Sequence, residues 1–189
     1  MTSQPPTSGP ELAKHRLDLG NPLRDRILTA IDADEPASEP RHLLAQMNIA
    51  RFRATMDDPS MAGFVEMLDP INHHAEAADG FVWRLTDEGS NNATSITFYD
   101  DPLMLVNMSV WRDMESLRDY VYRTNHNDMV KRREEWADAM ESTYLVLWWI
   151  DADHRPTIAE GDERLKLLEA NGPTPEAFTF GRSFPPPEG

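Results

Sequence analysis

Three side chains with chemical potential recur at every second position of one short stretch, Leu105–Trp111. Apolar and polar residues alternate there with the period of a half-buried strand. Asn107, Ser109 and Trp111 therefore share one face, and Val106, Met108 and Val110 share the other. An amide, a hydroxyl and an indole projecting together suit a cavity lining better than a dry core. The Asn107 amide can donate to the oxyanion that develops on an enolate or phenolate, and Trp111 can pack on a flat ring. The plainer alternative makes Asn107 a strand-end cap and Trp111 core. Asp113 then stands where a helix N-cap belongs, with Leu117, Tyr120 and Val121 following at helical spacing. His126 comes next. Its ordinary pKa lies near neutrality, which makes it the candidate general base, against the plainer reading of an exposed His among polar neighbours. Tyr122 and Arg133 stand about three helical turns apart and would line one face if the helix runs unbroken. Trp83 on an earlier strand and Trp148 on a later one complete the candidate pocket wall.

Other chemistry has less support. His73 and His74 are adjacent, so they point about 100° apart on a helix and chelate poorly; a helix C-terminus explains them better. His154 in DADHRPTIAE reads as part of a capped helix start, because the calcium-loop spacing is absent. No His/carboxylate cluster at metal spacing occurs, and no G-x-S-x-G, P-loop or G-x-G-x-x-G supports hydrolase, NTPase or dinucleotide readings. The chain of 189 residues has a formal net charge of -15, which argues against nucleic acid or an anionic membrane as partner. Lys131-Arg132-Arg133 is too short to reverse that. With no cysteine, disulfides and thiolate sites are excluded. The opening residues contain no apolar signal-peptide core, and no apolar run approaches membrane-spanning length, so a cytoplasmic chain is expected.

The elements that must position these residues follow in order. Residues 1–40 are expected to be a disordered tail, short helices with a Leu23/Ile27/Ile31 stripe, and an acidic, proline-containing linker. A strand over 42–53, a helix from Ser60 to about Ala77, a strand over 81–86, a polar loop over 87–102, the Leu105–Trp111 strand, the helical region behind it, and an apolar strand over 143–150 come next. A helix then runs from Pro156-Thr157 to about Ala170, and the segment AFTFGRSF is placed to add an edge strand. Residues 181–189 read as a flexible tail. The order β-α-β-β-α-β is that of an α+β, ferredoxin-like sandwich with a C-terminal helix added. Helices cover one sheet face. Trp83, Trp148 and Trp149 should not all face water, so a second copy is expected to cover the other face, giving a homodimer.

FVWR (81–84), VNMSVW (106–111), the Tyr122/His126 helix, LWW (147–149) and HRPTIAE (154–160) together resemble a bacterial family carried as a domain of unknown function, over about residues 41–180. That family is part of the dimeric α+β barrel superfamily, whose best-known members are the antibiotic-biosynthesis monooxygenases. The resemblance implies the dimeric barrel fold. A looser likeness concerns chemistry: cofactor-independent monooxygenases of that superfamily carry Asn and Trp four apart on a cavity-facing strand, as Asn107 and Trp111 stand here. It implies oxidation of an aromatic or enolisable, polyketide-like substrate without a cofactor, or cyclisation or isomerisation in the same pocket. Haem-degrading members place a ligand His on the following helix, which leaves a haem protein using His126 as the alternative, with Arg132 and Arg133 available to propionates. A non-catalytic ligand-binding dimer is the third reading.

Overall fold

The computed structural model describes residues 40–87, 91–123 and 132–188. The helical stripe of residues 1–40, and His126 with the segment around it, lie outside the described residues. The elements are β1 (His42–Arg51), α1 (Ala62–Glu76), β2 (Phe81–Arg84), β3 (Met104–Trp111), α2 (Met114–Arg123), β4 (Leu145–Asp151) and α3 (Ile158–Asn171). Short 3-10 turns, Pro59–Met61 and Arg133–Glu135, precede α1 and β4. The four strands form one sheet in the order β2-β3-β1-β4, with every neighbouring pair antiparallel. This is the ferredoxin-like arrangement expected from the element order.

Local signals account for most boundaries. Asp58, rather than Ser60, starts the first helical segment: its carboxylate accepts from the Ser60 N–H at 2.8 Å. The Asp113 carboxylate accepts from the Ser116 N–H at 2.8 Å and starts α2. Thr157 caps α3 by accepting from Glu160 N–H at 3.2 Å. Gly172, at φ 67°, ends that helix in the left-handed region that glycine tolerates. The expected edge strand in AFTFGRSF is a single bridge, in which Phe178 and Leu147 exchange both backbone hydrogen bonds at 2.9 Å.

The two faces of the sheet are packed differently. On one, Ala45 and Met47 of β1, Met108 and Val110 of β3, and Val146 and Trp148 of β4 form a dry core with Leu165 and Leu168 of α3. Gly161 lets α3 ride directly on Met47; a β-carbon there would collide with the Met47 side chain. Trp148 is 1% exposed and donates its indole N–H to Glu160 of α3 at 3.0 Å. The face expected to need a second copy is thus closed by the chain's own C-terminal helix, so its burial supplies no argument for a dimer. The opposite face looks towards α1, α2 and the segment around Trp136, and there the sheet carries polar residues.

Candidate functional site

The register of the two central strands builds the site. Asn48 stands opposite Asn107, Gln46 opposite Ser109, and Leu44 opposite Trp111. Side chains directly opposite in an antiparallel pair are in contact range, so the polar positions of β1 and β3 meet on one face. They form a continuous chain of hydrogen bonds. Trp111 Nε1 donates to Ser109 Oγ at 2.9 Å, and Ser109 Oγ donates to Gln46 Oε1 at 3.0 Å. Gln46 Nε2 donates to Asn48 Oδ1 at 2.9 Å, and Asn107 Nδ2 donates to the same oxygen at 2.9 Å. The chain runs from a closed end, where Trp111, Gln46 and Ser109 are buried, to an open end, where Asn48 is half-buried and Asn107 exposed. Asn48 Oδ1 accepts both bonds, and its Nδ2 makes no hydrogen bond among the described residues. Asn107 keeps one N–H and its carbonyl oxygen free among the described residues.

This chain is the floor of a cavity of about 430 Å³, within the range of roughly 300–1,000 Å³ common to small-molecule sites. Its walls are largely apolar: Phe64, Leu68 and Ile71 of α1, Leu117 and Val121 of α2, and Phe52, Leu105 and Trp136. Phe52, Phe64 and Trp136 pack as a tilted aromatic cluster with centroid separations of 4.6 and 5.7 Å. Arg84, 8% exposed, is held in the wall by Glu76, whose Oε1 accepts from its Nε at 2.9 Å and its Nη2 at 2.7 Å. Burial pushes the Tyr120 phenol well above its ordinary range, while the nearby Arg84 charge pulls the other way. Tyr120 therefore stays neutral near pH 7 and is no base.

The residues singled out from sequence distribute unevenly. Asn107, Ser109, Trp111, Tyr122 and Arg133 all line the cavity. Tyr122 does so from α2 and Arg133 from a 3-10 turn; residues 124–131 between them, on which a common helix face depends, lie outside the described residues. Trp111 is present but offers no face to a ligand: it is 0% exposed, stacked on Tyr120 at 5.0 Å and met edge-on by Phe81 at 5.4 Å. The expected stacking partner of a flat ligand is thus already paired within the protein. Trp83 and Trp148 lie on the dry face and do not line the cavity. A bulge between Phe81 and Trp83 shifts the β2 register and sets Trp83 there, beneath the Arg155 guanidinium at 4.9 Å. Trp148 alternates with Leu147 and Trp149, so it faces α3. Asn48, Gln46 and Arg84 belong to the site and were not singled out. Gln46 and Asn48 do share a strand face in the sequence, but only the register shows that this face meets Asn107.

No group of three or more His, Cys, Asp or Glu side chains able to hold a metal occurs among the described residues. The described cavity-lining residues include no His, Cys or Met that could take an axial position on haem iron. His126, the residue that the haem reading invokes, lies outside the described residues. No helix among the described residues is long and apolar enough to cross a membrane.

Comparison with known proteins adds the following. No curated protein matches the sequence. Among solved structures, SnoaB, a cofactor-independent oxygenase from Streptomyces nogalater, is similar at 14% identity, covering 64% of this chain and 100% of that one, with a TM-score of 0.36. A score that low has no bearing on what this cavity does. The family of domains of unknown function DUF3291 matches residues 43–189, most of the 189-residue chain, and the chain belongs to that family.

Proposed function

We propose that the protein is a small-molecule tailoring enzyme whose cavity holds an aromatic or enolisable substrate, and that it works as a cofactor-independent monooxygenase. The observation that carries this reading is the amide pair at the open end of the floor. Asn48 and Asn107 share one hydrogen bond and leave N–H donors without a partner among the described residues, side by side in a largely apolar cavity. Donors fixed in place by their own hydrogen bond stabilise a developing oxyanion effectively, because they need no reorganisation when charge appears. A phenol or enol bound with its oxygen on these amides loses its proton more readily. The carbanion character that results gives an electron to dioxygen. Recombination at carbon forms a C–O bond, and loss of water converts the original CH₂ and O₂ into a carbonyl and H₂O.

In this account Asn107 and Asn48 bind the oxyanion. Ser109 and Gln46 fix the orientation of the Asn48 amide, and Trp111 positions Ser109 through its indole N–H. Tyr122 borders the substrate on the α2 side. His126 accepts the proton. The test is oxygen uptake with anthrone, a flat enolisable ketone, as probe. The expected result is protein-dependent consumption of one O₂ per anthraquinone formed, in metal-free buffer with chelator. No acceleration over the spontaneous reaction, with anthrone shown to bind, overturns the oxygenase assignment.

A further inference from the structure

The charges lining the cavity have one sign. Among the described lining residues only Arg84 and Arg133 are charged, and none is Asp, Glu, Lys or His. This occurs in a chain with a formal net charge of -15. The two guanidinium groups are also treated differently. Arg84 is neutralised by Glu76 and donates a further hydrogen bond to the Asn91 carbonyl at 3.0 Å. Arg133 has no carboxylate partner among the described residues. Its guanidinium lies over the Tyr144 ring at 4.7 Å, and its Nη2 is shielded from solvent without a hydrogen bond. A cation–π contact uses the face of a guanidinium and leaves its in-plane N–H groups available to other partners. A partly buried cation in that state is costly unless an anion completes it.

The position of Arg133 says where that anion lies. The Tyr144 carbonyl accepts from Ile49 N–H at 2.9 Å, one residue beyond Asn48. Arg133 on the Tyr144 ring is therefore at the same end of the cavity as the Asn48–Asn107 pair. We infer that the ligand is a flat apolar carboxylate. Its carboxylate pairs with Arg133, and its phenolic or enolic oxygen lies on Asn48 and Asn107. The planar guanidinium fork matches a carboxylate in a way that a neutral amide cannot reproduce. This inference rests on the cavity being a small-molecule site; it does not require the oxygenase step.

Calorimetric titration of the full-length protein with 1-hydroxy-2-naphthoate and with 1-hydroxy-2-naphthamide separates the two. The acid should bind at least about tenfold more tightly than the amide, the effect of one charge-assisted hydrogen bond. Arg133→Met should abolish that preference by weakening the acid far more than the amide, and Arg133→Lys should keep part of it. Far-UV circular dichroism of both variants checks that they fold, and measurable amide binding retained in Arg133→Met shows that the cavity is intact. Equal binding of acid and amide to the native protein, or a preference that survives Arg133→Met, overturns the anion assignment and leaves the cavity reading standing. Binding of neither probe counts against both.

Discussion

The two faces of the sheet are made by the same strands at alternate positions, and they differ in what they can tolerate. On the α3 side, Ala45, Met47, Met108, Val146 and Trp148 are essentially without exposure and their side chains present carbon and sulfur, apart from one indole N–H satisfied by Glu160. On the α1/α2 side the intervening positions carry Gln46, Asn48, Asn107 and Ser109, joined into one hydrogen-bonded chain. A buried amide costs free energy unless its groups are paired. Every side-chain nitrogen and oxygen of the buried part of the chain has at least one partner, whereas the Asn48 amide nitrogen, where the chain opens into the cavity, has none among the described residues. Along this polar chain, hydrogen-bonding capacity left over among the described residues is greatest at the Asn48–Asn107 end.

Substitutions should separate the faces by what they damage. On the dry face Trp148→Ala removes a fully buried indole and its bond to Glu160, and should cost about 3–5 kcal/mol of stability in denaturant unfolding. Ligand binding at low denaturant should be retained if the protein still folds. Gly161→Leu should lower the unfolding midpoint as well, since α3 must move off Met47. At the closed end of the polar floor, Ser109→Ala leaves the Trp111 N–H and Gln46 Oε1 without partners and should cost about 1–3 kcal/mol. Its effect on ligand binding should exceed that of Trp148→Ala, because the Asn48 amide loses its orientation. If the two variants lower binding equally, the floor has no special part in the site.

The smallest effect concerns acid. Burial raises the Glu160 carboxyl, but the hydrogen bonds from His154 and Trp148 outweigh it and hold the pKa below the ordinary range. A folded pKa below the unfolded one contributes stability that is fully present above the unfolded value and is lost as pH falls through the folded value. Stability should therefore decline on acidification below the usual carboxylate range, and Glu160→Gln should flatten part of that decline. An unchanged acid limb in Glu160→Gln would show that this pairing contributes nothing to the dry face.

Much of the fold was legible because local signals agreed with one another. The alternation in Leu105–Trp111, the Asp113 and Thr157 caps and the Gly172 stop all mark boundaries that the structure keeps. The site was legible in part, for a physical reason. Strand alternation assigns Asn107, Ser109 and Trp111 to a common face, but β1's Gln46 and Asn48 join them only through the β1–β3 register, which no single segment encodes. The stretch 144–150 is apolar throughout, so alternation could not tell which tryptophan faces α3; Trp148 does. The β2 bulge defeated the same rule for Trp83. The covering role of α3 depended on where a C-terminal helix docks, and the glycine that permits close approach, Gly161, is only interpretable once Met47 is known to lie beneath it.

The central claim is that the Asn48–Asn107 pair is kept for a ligand and not for the fold. Asn107→Ala tests it most directly, with unfolding free energy and anthrone turnover measured on the same preparation. Losing one hydrogen bond at the open end should cost only about 1 kcal/mol of stability, while losing an oxyanion donor should lower the rate about 10²–10³-fold. A variant that loses several kcal/mol of stability yet, where folded, turns over anthrone at the native rate would contradict the account.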